Sequence, residues 1–276
     1  MANAGGSVIC RLCAAEAPFL CKQRVLSRIE VSYFQCPGCD LIQTEAPHWL
    51  EEAYSSAFSA LDTGAIARNQ ISARRTRAVA FALGLDAGAR GLDYGGGHGV
   101  LVRMLRDLGL DFRWFDPRAE NLYARGFEGN PAEKFELVTA FEVLEHLANA
   151  RLELEKIFAP GPRAVLVGTL LHQGHQDGWW YYTLETGQHV SFYSRRTMEY
   201  LGALFGYQVF ASSAQTLFVR RKPALGRVRR ALLARVAQPG LLEALGALLP
   251  EPLVTHLLPY RPLAEADHLA LKGKAS

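Results

Sequence analysis

Four cysteines carry the first chemistry legible in this sequence. Cys10 and Cys13 form one C-x-x-C knuckle, and Cys36 and Cys39 form a second. Two residues between cysteines let both thiolates meet one tetrahedral ion while the intervening amides turn towards the sulfurs. Pro37-Gly38 suits the tight turn this needs. The gap between the knuckles is slightly longer than the usual ribbon spacing, and a hairpin through RVLSRIEVSYFQ would fill it. Four thiolates leave no open coordination position, so the expected zinc is structural. Cys21 falls outside the pattern and reads as a plain thiol. The charges around the knuckles are mixed, with Arg11, Lys22, Arg24 and Arg28 set against Glu16, Glu30, Asp40 and Glu45. A phosphate-binding surface would be more lopsided. The expectation is a substrate-docking or packing module.

The second chemical signal is RGLDYGGGHGVLVRMLRDLG. A short strand begins at Leu92 and has Asp93 near its end. Gly95, Gly96, Gly97 and Gly99 follow, and then an amphipathic helix from Val100 to Leu108. Glycines here let backbone approach a ligand closely and leave amides facing it at a helix N-terminus. The dinucleotide fingerprint G-x-G-x-x-G is not met, because its third glycine would fall at Val100. The pattern is D-x-G-x-G-x-G. Roughly 20 residues on, DFRWFDP reads as a second strand ending in Asp116, an acid placed to accept hydrogen bonds from ribose hydroxyls.

These features together resemble motif I and its sequel in the class I S-adenosylmethionine-dependent methyltransferases. KFELVTAFEVLEHL (134–147) resembles the family's fourth-strand motif, RAVLVGTLL its fifth strand, and RRTMEYLGALFGYQVFASSAQTLFVRRK the helix and antiparallel strand pair that close its sheet. The resemblance covers roughly residues 84–222. It implies an α/β fold with a Rossmann-like seven-stranded sheet, and S-adenosylmethionine held by Asp93, Gly95, Gly96, Gly97, Gly99 and Asp116. Adenine is placed near Phe141 by the same analogy. The chain departs from the family in one respect: the usual acidic motif of the third strand is missing from the short segment after Asp116.

In this family the acceptor lies over the C-terminal edge of the sheet, roofed by segments after the fourth and fifth strands. Here the first segment carries Glu142, Glu145 and His146. The second is LHQGHQDGWWYYTLETGQHVSFYS, with His172, His175 and His189 among two tryptophans and three tyrosines. Aromatic faces with polar partners suit a sugar, and the same roof would also suit phenols or lipids. With an ordinary pKa near 6.5, His189 could take a hydroxyl proton at neutral pH. The alternative is that it braces the loop. Some members of the family it resembles, with E-x-x-E-H at this place, bind a divalent metal. Helical spacing would let Glu142 meet Glu145 or His146 at one Mg or other divalent ion, which His172 or His175 could complete. The whole chain resembles zinc-ribbon methyltransferases associated with sugar and surface-polysaccharide modification. Ribosomal RNA methyltransferases with a similar ribbon supply one alternative, and a non-catalytic donor-binding module supplies another.

Four zones must position these groups: a zinc ribbon (1–48), a helical connector (49–84), the methyltransferase core (85–222) and a basic helical C-terminal extension (223–276). The composition, 49% hydrophobic and 21% charged, is that of a globular chain large enough to bury a core without disulfides. A net charge of +3 gives no strong nucleic-acid signal. No signal peptide and no membrane-spanning run are evident, so the expected location is cytoplasmic. In the tail, 220–238 holds seven Arg or Lys and no acid, with Leu225, Val228, Leu232 and Val236 on one helical face. Such a helix either rests on the inner face of an anionic membrane or docks on the core.

Overall fold

Residues 6–54, 63–222, 226–236 and 260–275 are described by a computed structural model of the chain. The connector residues 55–62 and tail residues 223–225 and 237–259, Leu225 among them, lie outside the described residues. Strands β1 (Ser7–Ile9), β2 (Glu16–Val25), β3 (Ile29–Gln35) and β4 (Ile42–Thr44) make an N-terminal antiparallel meander. Helices α1 (Leu50–Ala53) and α2 (Ala65–Leu83) follow. The larger layer then alternates β5 (Arg90–Tyr94), α3 (Val100–Asp107), β6 (Asp111–Phe115), β7 (Leu137–Phe141), α4 (Ala150–Phe158) and β8 (Ala164–Gly168). After a long loop containing β9 (Ser191–Phe192) come α5 (Arg195–Phe205), β10 (Tyr207–Ala211), β11 (Gln215–Arg220), α6 (Arg227–Val236) and α7 (Ala264–Ala275).

Among the described residues the large sheet has six strands in the order β10-β11-β8-β7-β5-β6. Strands β8, β7, β5 and β6 are parallel, and β11 runs antiparallel to β8 and β10. This is the expected α/β methyltransferase architecture, but the expected seventh strand is reduced to a single parallel bridge, Trp114 to Glu128. There Trp114 N donates to Phe127 O and Gly129 N donates to Trp114 O. The cause is local: the segment holds Gly126 at φ +85°, Gly129 and Pro131, and no alternating apolar run that could pair further.

Period-two alternation in the central strands builds a core on each face. Val138, Ala140, Val165 and Val167 pack with Leu154, Ile157 and Phe158 of α4 and with Met198 and Leu201 of α5. Leu137, Ala164 and Leu166 pack with Leu83 of α2, Leu101, Val102 and Leu105 of α3, and Leu233 of α6. Helix α5 is set by a capping box between Ser194 and Thr197 and ends at Gly206, φ +81°. In α6 the buried apolar residues are Leu233 and Val236, while Val228 is 84% exposed. The apolar face drawn through Val228 and Leu232 is therefore offset, because the helix turns Leu233 towards α2.

The ribbon is not detached from this layer. Its sheet continues β1-β2-β3-β4-β9, so the loop carrying His189 supplies its last strand. Ile42 pairs with Phe192 and Gln43 with Ser191. Tyr33, Ile42 and Trp49 share one core cluster with Tyr181, Tyr182, Val190 and Phe192.

Candidate active site

The glycine turn joins β5 to α3 at the C-terminal edge of the large sheet. Gly95 N and Gly96 N donate to Phe115 O at 2.8 and 3.1 Å, which fastens the turn to the end of β6. Gly95 sits at φ +73°, and a Cβ there would lie 2.5 Å from Val143 Cγ2. Gly97 has φ +53°, and nothing among the described residues lies within 4 Å of a Cβ position there. Gly99, at φ +87°, caps α3. Only glycine enters this run of left-handed conformations without strain. Gly97 N donates to Asp116 Oδ2 at 2.9 Å, and the N–H groups of Arg118 and Ala119 donate to Oδ1 at 2.8 and 2.9 Å. A carboxylate accepts about four hydrogen bonds, so one position remains for a ribose hydroxyl. Asp93 is buried under the turn, where Thr139 Oγ1 donates to it at 2.7 Å. Burial pushes its pKa up to about 7, against the Thr139 bond. Phe141 lies against Gly168, whose Cβ would meet the ring at 2.6 Å. The open face over Gly97 and the acid beside it fit a nucleoside-bearing donor.

The second half of the site follows β7. Glu142 has φ +54°, and Leu144–His146 forms a single 3-10 turn, not an α-helix. Glu142 and Glu145 are therefore not on one helical face, which corrects the ligand set Glu142/Glu145/His146. The atoms that converge belong to Glu145, His146 and His189, all within 4.8 Å of one another. Glu145 is fully buried. Its Oε1 accepts from the Tyr181 hydroxyl at 2.6 Å, and its buried Oε2 has no hydrogen-bond partner among the described residues. His189 is 9% exposed, and its Nδ1 lies 2.7 Å from Tyr181 O. A carbonyl only accepts, so Nδ1 carries the proton and Nε2 is the basic nitrogen. The rings of His146 and His189 meet edge to face at 4.8 Å. Burial lowers the pKa of His146 to about 4, against the pull of Glu145, and burial likewise lowers that of His189. Both shifts favour the neutral imidazole.

Tyr54 joins the two halves. Its hydroxyl is 3.0 Å from His146 Nδ1, and its ring lies under the Arg118 guanidinium, 4.4 Å from centroid to carbon. Gln188 O also lies 3.2 Å from His146 Nδ1, and the Gln188 amide donates to Ala53 O. The other loop histidines serve elsewhere. His172 Nε2 donates to Asp40 O of the ribbon at 3.0 Å, and His175 bonds Tyr182 and Asp177. Neither completes the Glu145 cluster. The aromatic residues of the loop are divided: Tyr181 and Tyr182 are buried, while Trp180 is 71% exposed.

In the ribbon, the sulfurs of Cys10, Cys13, Cys36 and Cys39 lie within 4.8 Å of one another. Cys10 to Cys39 is 3.6 Å and Cys13 to Cys36 is 3.3 Å. Four sulfurs about 2.3 Å from a zinc stand about 3.8 Å apart, so the donor set fits a tetrahedral ion. The Cys39 hydrogen bond, opposed by burial, lowers the Cys10 pKa to about 5. Cys21 lies apart, near His175.

A methyltransferase-domain family model matches residues 66–212, just over half of the chain. The chain belongs to that family. It is accordingly an S-adenosylmethionine-dependent methyltransferase, and the matched span contains both the glycine turn and the Glu145 cluster. The family model begins after the ribbon, so the cysteines are additions to the matched domain. Solved structures of similar fold include magnesium protoporphyrin IX methyltransferase from Synechocystis PCC 6803 with bound S-adenosylhomocysteine. It is 16% identical, with a TM-score of 0.42, covering 62% of this chain and 92% of that one. Human N-acetylserotonin methyltransferase with S-adenosylmethionine is 17% identical, with a TM-score of 0.38 and coverage of 62% and 65%. The mitomycin 7-O-methyltransferase is 19% identical, with a TM-score of 0.36, and 54% of each chain is covered. No curated protein matches the sequence.

Residue type and spacing do not single out Tyr54 or Tyr181. Tyr181 stood inside the WWYY run, but nothing in the run marks it as the partner of Glu145. Tyr54 lies before the matched domain and has no motif around it.

Proposed function

We propose that this methyltransferase O-methylates a hydroxyl of a sugar or glycan, with His189 as general base. The observation that carries the reading is the buried His189, whose Nδ1 donates to the Tyr181 carbonyl at 2.7 Å and which converges with Glu145 and His146. Bound S-adenosylmethionine would supply an electrophilic methyl, whose carbon would bond to the acceptor oxygen as its bond to sulfur breaks and S-adenosylhomocysteine leaves. Gly95, Gly96, Gly97, Gly99, Asp93 and Asp116 hold and orient the donor, with Phe141 beside it. His189 Nε2 takes the proton from the acceptor hydroxyl. The nearby Glu145 charge favours the imidazolium that forms, as its opposing influence on the His189 pKa indicates. Exposed Trp180, next to Tyr181, offers the kind of aromatic face a sugar ring packs on. Cys10, Cys13, Cys36 and Cys39 hold a structural zinc in this reading. Among the described residues no helix is long and apolar enough to cross a membrane. The basic α6, with Val228 exposed, is the place where the protein would touch the inner face of a membrane carrying lipid-linked acceptors.

The unpartnered Glu145 Oε2 favours a second route at the same place. One carboxylate oxygen and two neutral imidazoles are a ligand set for a divalent cation. A cation there would supply Lewis acidity to the acceptor oxygen. Loss of activity on chelation under conditions that leave the cysteine-bound zinc in place would select it.

The test is donor consumption by the full chain against saccharide, lipid-linked saccharide and ribosomal RNA fractions. Methylation confined to the saccharide fractions is the expected result. Methylated RNA would overturn the acceptor class, and donor binding without turnover in any fraction would favour a binding module.

A further inference from the structure

We propose that Arg11 is a positioning residue for the acceptor-side histidines, which makes the cysteine ribbon part of the active site and not a separate docking module. This rests on the reading of His189 as a residue of the acceptor site. Arg11 lies between Cys10 and Cys13, so the knuckle fixes its backbone. Its own N–H donates to Gln43 Oε1 at 2.8 Å. Its guanidinium then reaches three backbone carbonyls from three segments. Nη2 donates to Thr44 O at 2.6 Å and Val190 O at 3.1 Å, and Nη1 donates to Ala148 O at 3.1 Å. Thr44 ends β4 of the ribbon, Val190 follows His189, and Ala148 lies two residues after His146.

One planar cation therefore pins both histidine-bearing segments to the same knuckle. A guanidinium suits this, because its donors fan out in a fixed plane, whereas an ammonium offers a point charge on a flexible stem. The neighbouring backbone continues the connection: Thr44 N donates to Val190 O, and Val190 N donates to Glu145 O at 2.8 Å. Two further side chains tie the second knuckle to the same loop and the helix after it. His172 Nε2 donates to Asp40 O, and Arg196 donates to Pro37 O and Gly38 O. The donor turn, by contrast, is held by Phe115 and Asp116 of the large sheet. A fault at Arg11 is thus expected at the histidines and not at the donor.

Zinc-loaded, histidine-labelled full-length chain with Arg11→Met or Arg11→Lys provides the test. Ring nitrogen resonances are read by NMR, zinc by elemental analysis, and S-adenosylhomocysteine affinity by calorimetry. In Arg11→Met the signals of His189 and His146 should shift, and His189 should lose its single Nδ1-protonated form. Arg11→Lys should show a smaller shift. His98 and His268, zinc content and S-adenosylhomocysteine affinity should stay as in the parent. Unmoved His189 and His146 signals in Arg11→Met would overturn the proposal. So would equal shifts at all four histidines with loss of S-adenosylhomocysteine binding, since that describes a general loss of structure. If Arg11→Met does not fold, Arg11→Lys decides: a shift confined to His189 and His146 supports the proposal, and none refutes it. Failure of His189 as a base would appear separately, as full turnover in a His189→Asn variant.

Discussion

Replacing His189 by asparagine separates the two things this side chain does. The asparagine amide stands close to where Nδ1 stands, so it can still donate to the Tyr181 carbonyl now met at 2.7 Å. Nothing in it replaces Nε2 as a base. Loss of a general base typically lowers turnover about 100- to 10,000-fold. Alanine at the same position removes the base and also takes the donor from a buried carbonyl, which costs about 1–3 kcal/mol. It leaves a cavity as well, since His189 is 9% exposed. Initial rates of donor consumption with a responding saccharide fraction should therefore fall by at least about two orders of magnitude in His189→Asn. Its urea midpoint should match the parent's, whereas His189→Ala should lose both rate and midpoint. A His189→Asn enzyme running at the parent rate would refute the general-base role. Equal destabilisation of both variants, with rates tracking the folded fraction, would reduce His189 to a loop brace.

The other predictions concern stability and metal content. Burial holds His146 at about 4, below its usual 6.5, and lowers His189 too, so unfolding takes up protons that the folded protein refuses. The His146 contribution is full above about pH 6.5 and is lost as the pH falls towards about 4, and the His189 contribution falls in the same direction; urea midpoints across that interval should drop less steeply in a His146→Gln/His189→Asn variant. Elemental analysis should give about one zinc per chain, lost in Cys36→Ser/Cys39→Ser and kept in Cys21→Ser. Asp267 of α7 is buried and accepts from Arg106 at 2.7 and 2.8 Å and from Arg103 at 2.8 Å. Asp267→Asn should destabilise by about 3 kcal/mol, the low end for a broken buried pair, because Arg106 keeps Asp111. A chemical-denaturation midpoint equal to the parent's would show that α7 contributes nothing to the stability of the core.

The glycine turn and the acid after it are legible because their features are consecutive in the chain. Strand, left-handed glycines, helix and acid follow one another, and each is dictated by local backbone requirements at Gly95, Gly97, Gly99 and Asp116. The cysteine knuckles were legible for the same reason. Of the Glu145 cluster, Glu145, His146 and His189 are legible by type, whereas Tyr54 and Tyr181 are not, since they reach it from segments brought together only by tertiary packing. Helical spacing misled at Glu142, because its φ of +54° breaks the helix that the spacing assumed. The seventh strand was expected from resemblance, and the glycines and proline between Phe115 and Leu137 reduce it to the bridge at Glu128. Arg11 was read as one of several mixed surface charges. Its carbonyl contacts arise only because β9 joins the ribbon sheet, a pairing between residues far apart in sequence.

The most direct test of the account is calorimetric titration of S-adenosylhomocysteine into the zinc-loaded chain, beside Gly97→Arg. Nothing among the described residues lies over Gly97, so an arginine there would occupy the proposed place of the donor over the turn. The account predicts one saturable site in the parent, with no binding detected in Gly97→Arg. No binding to the parent, or equal binding to both proteins, would contradict it.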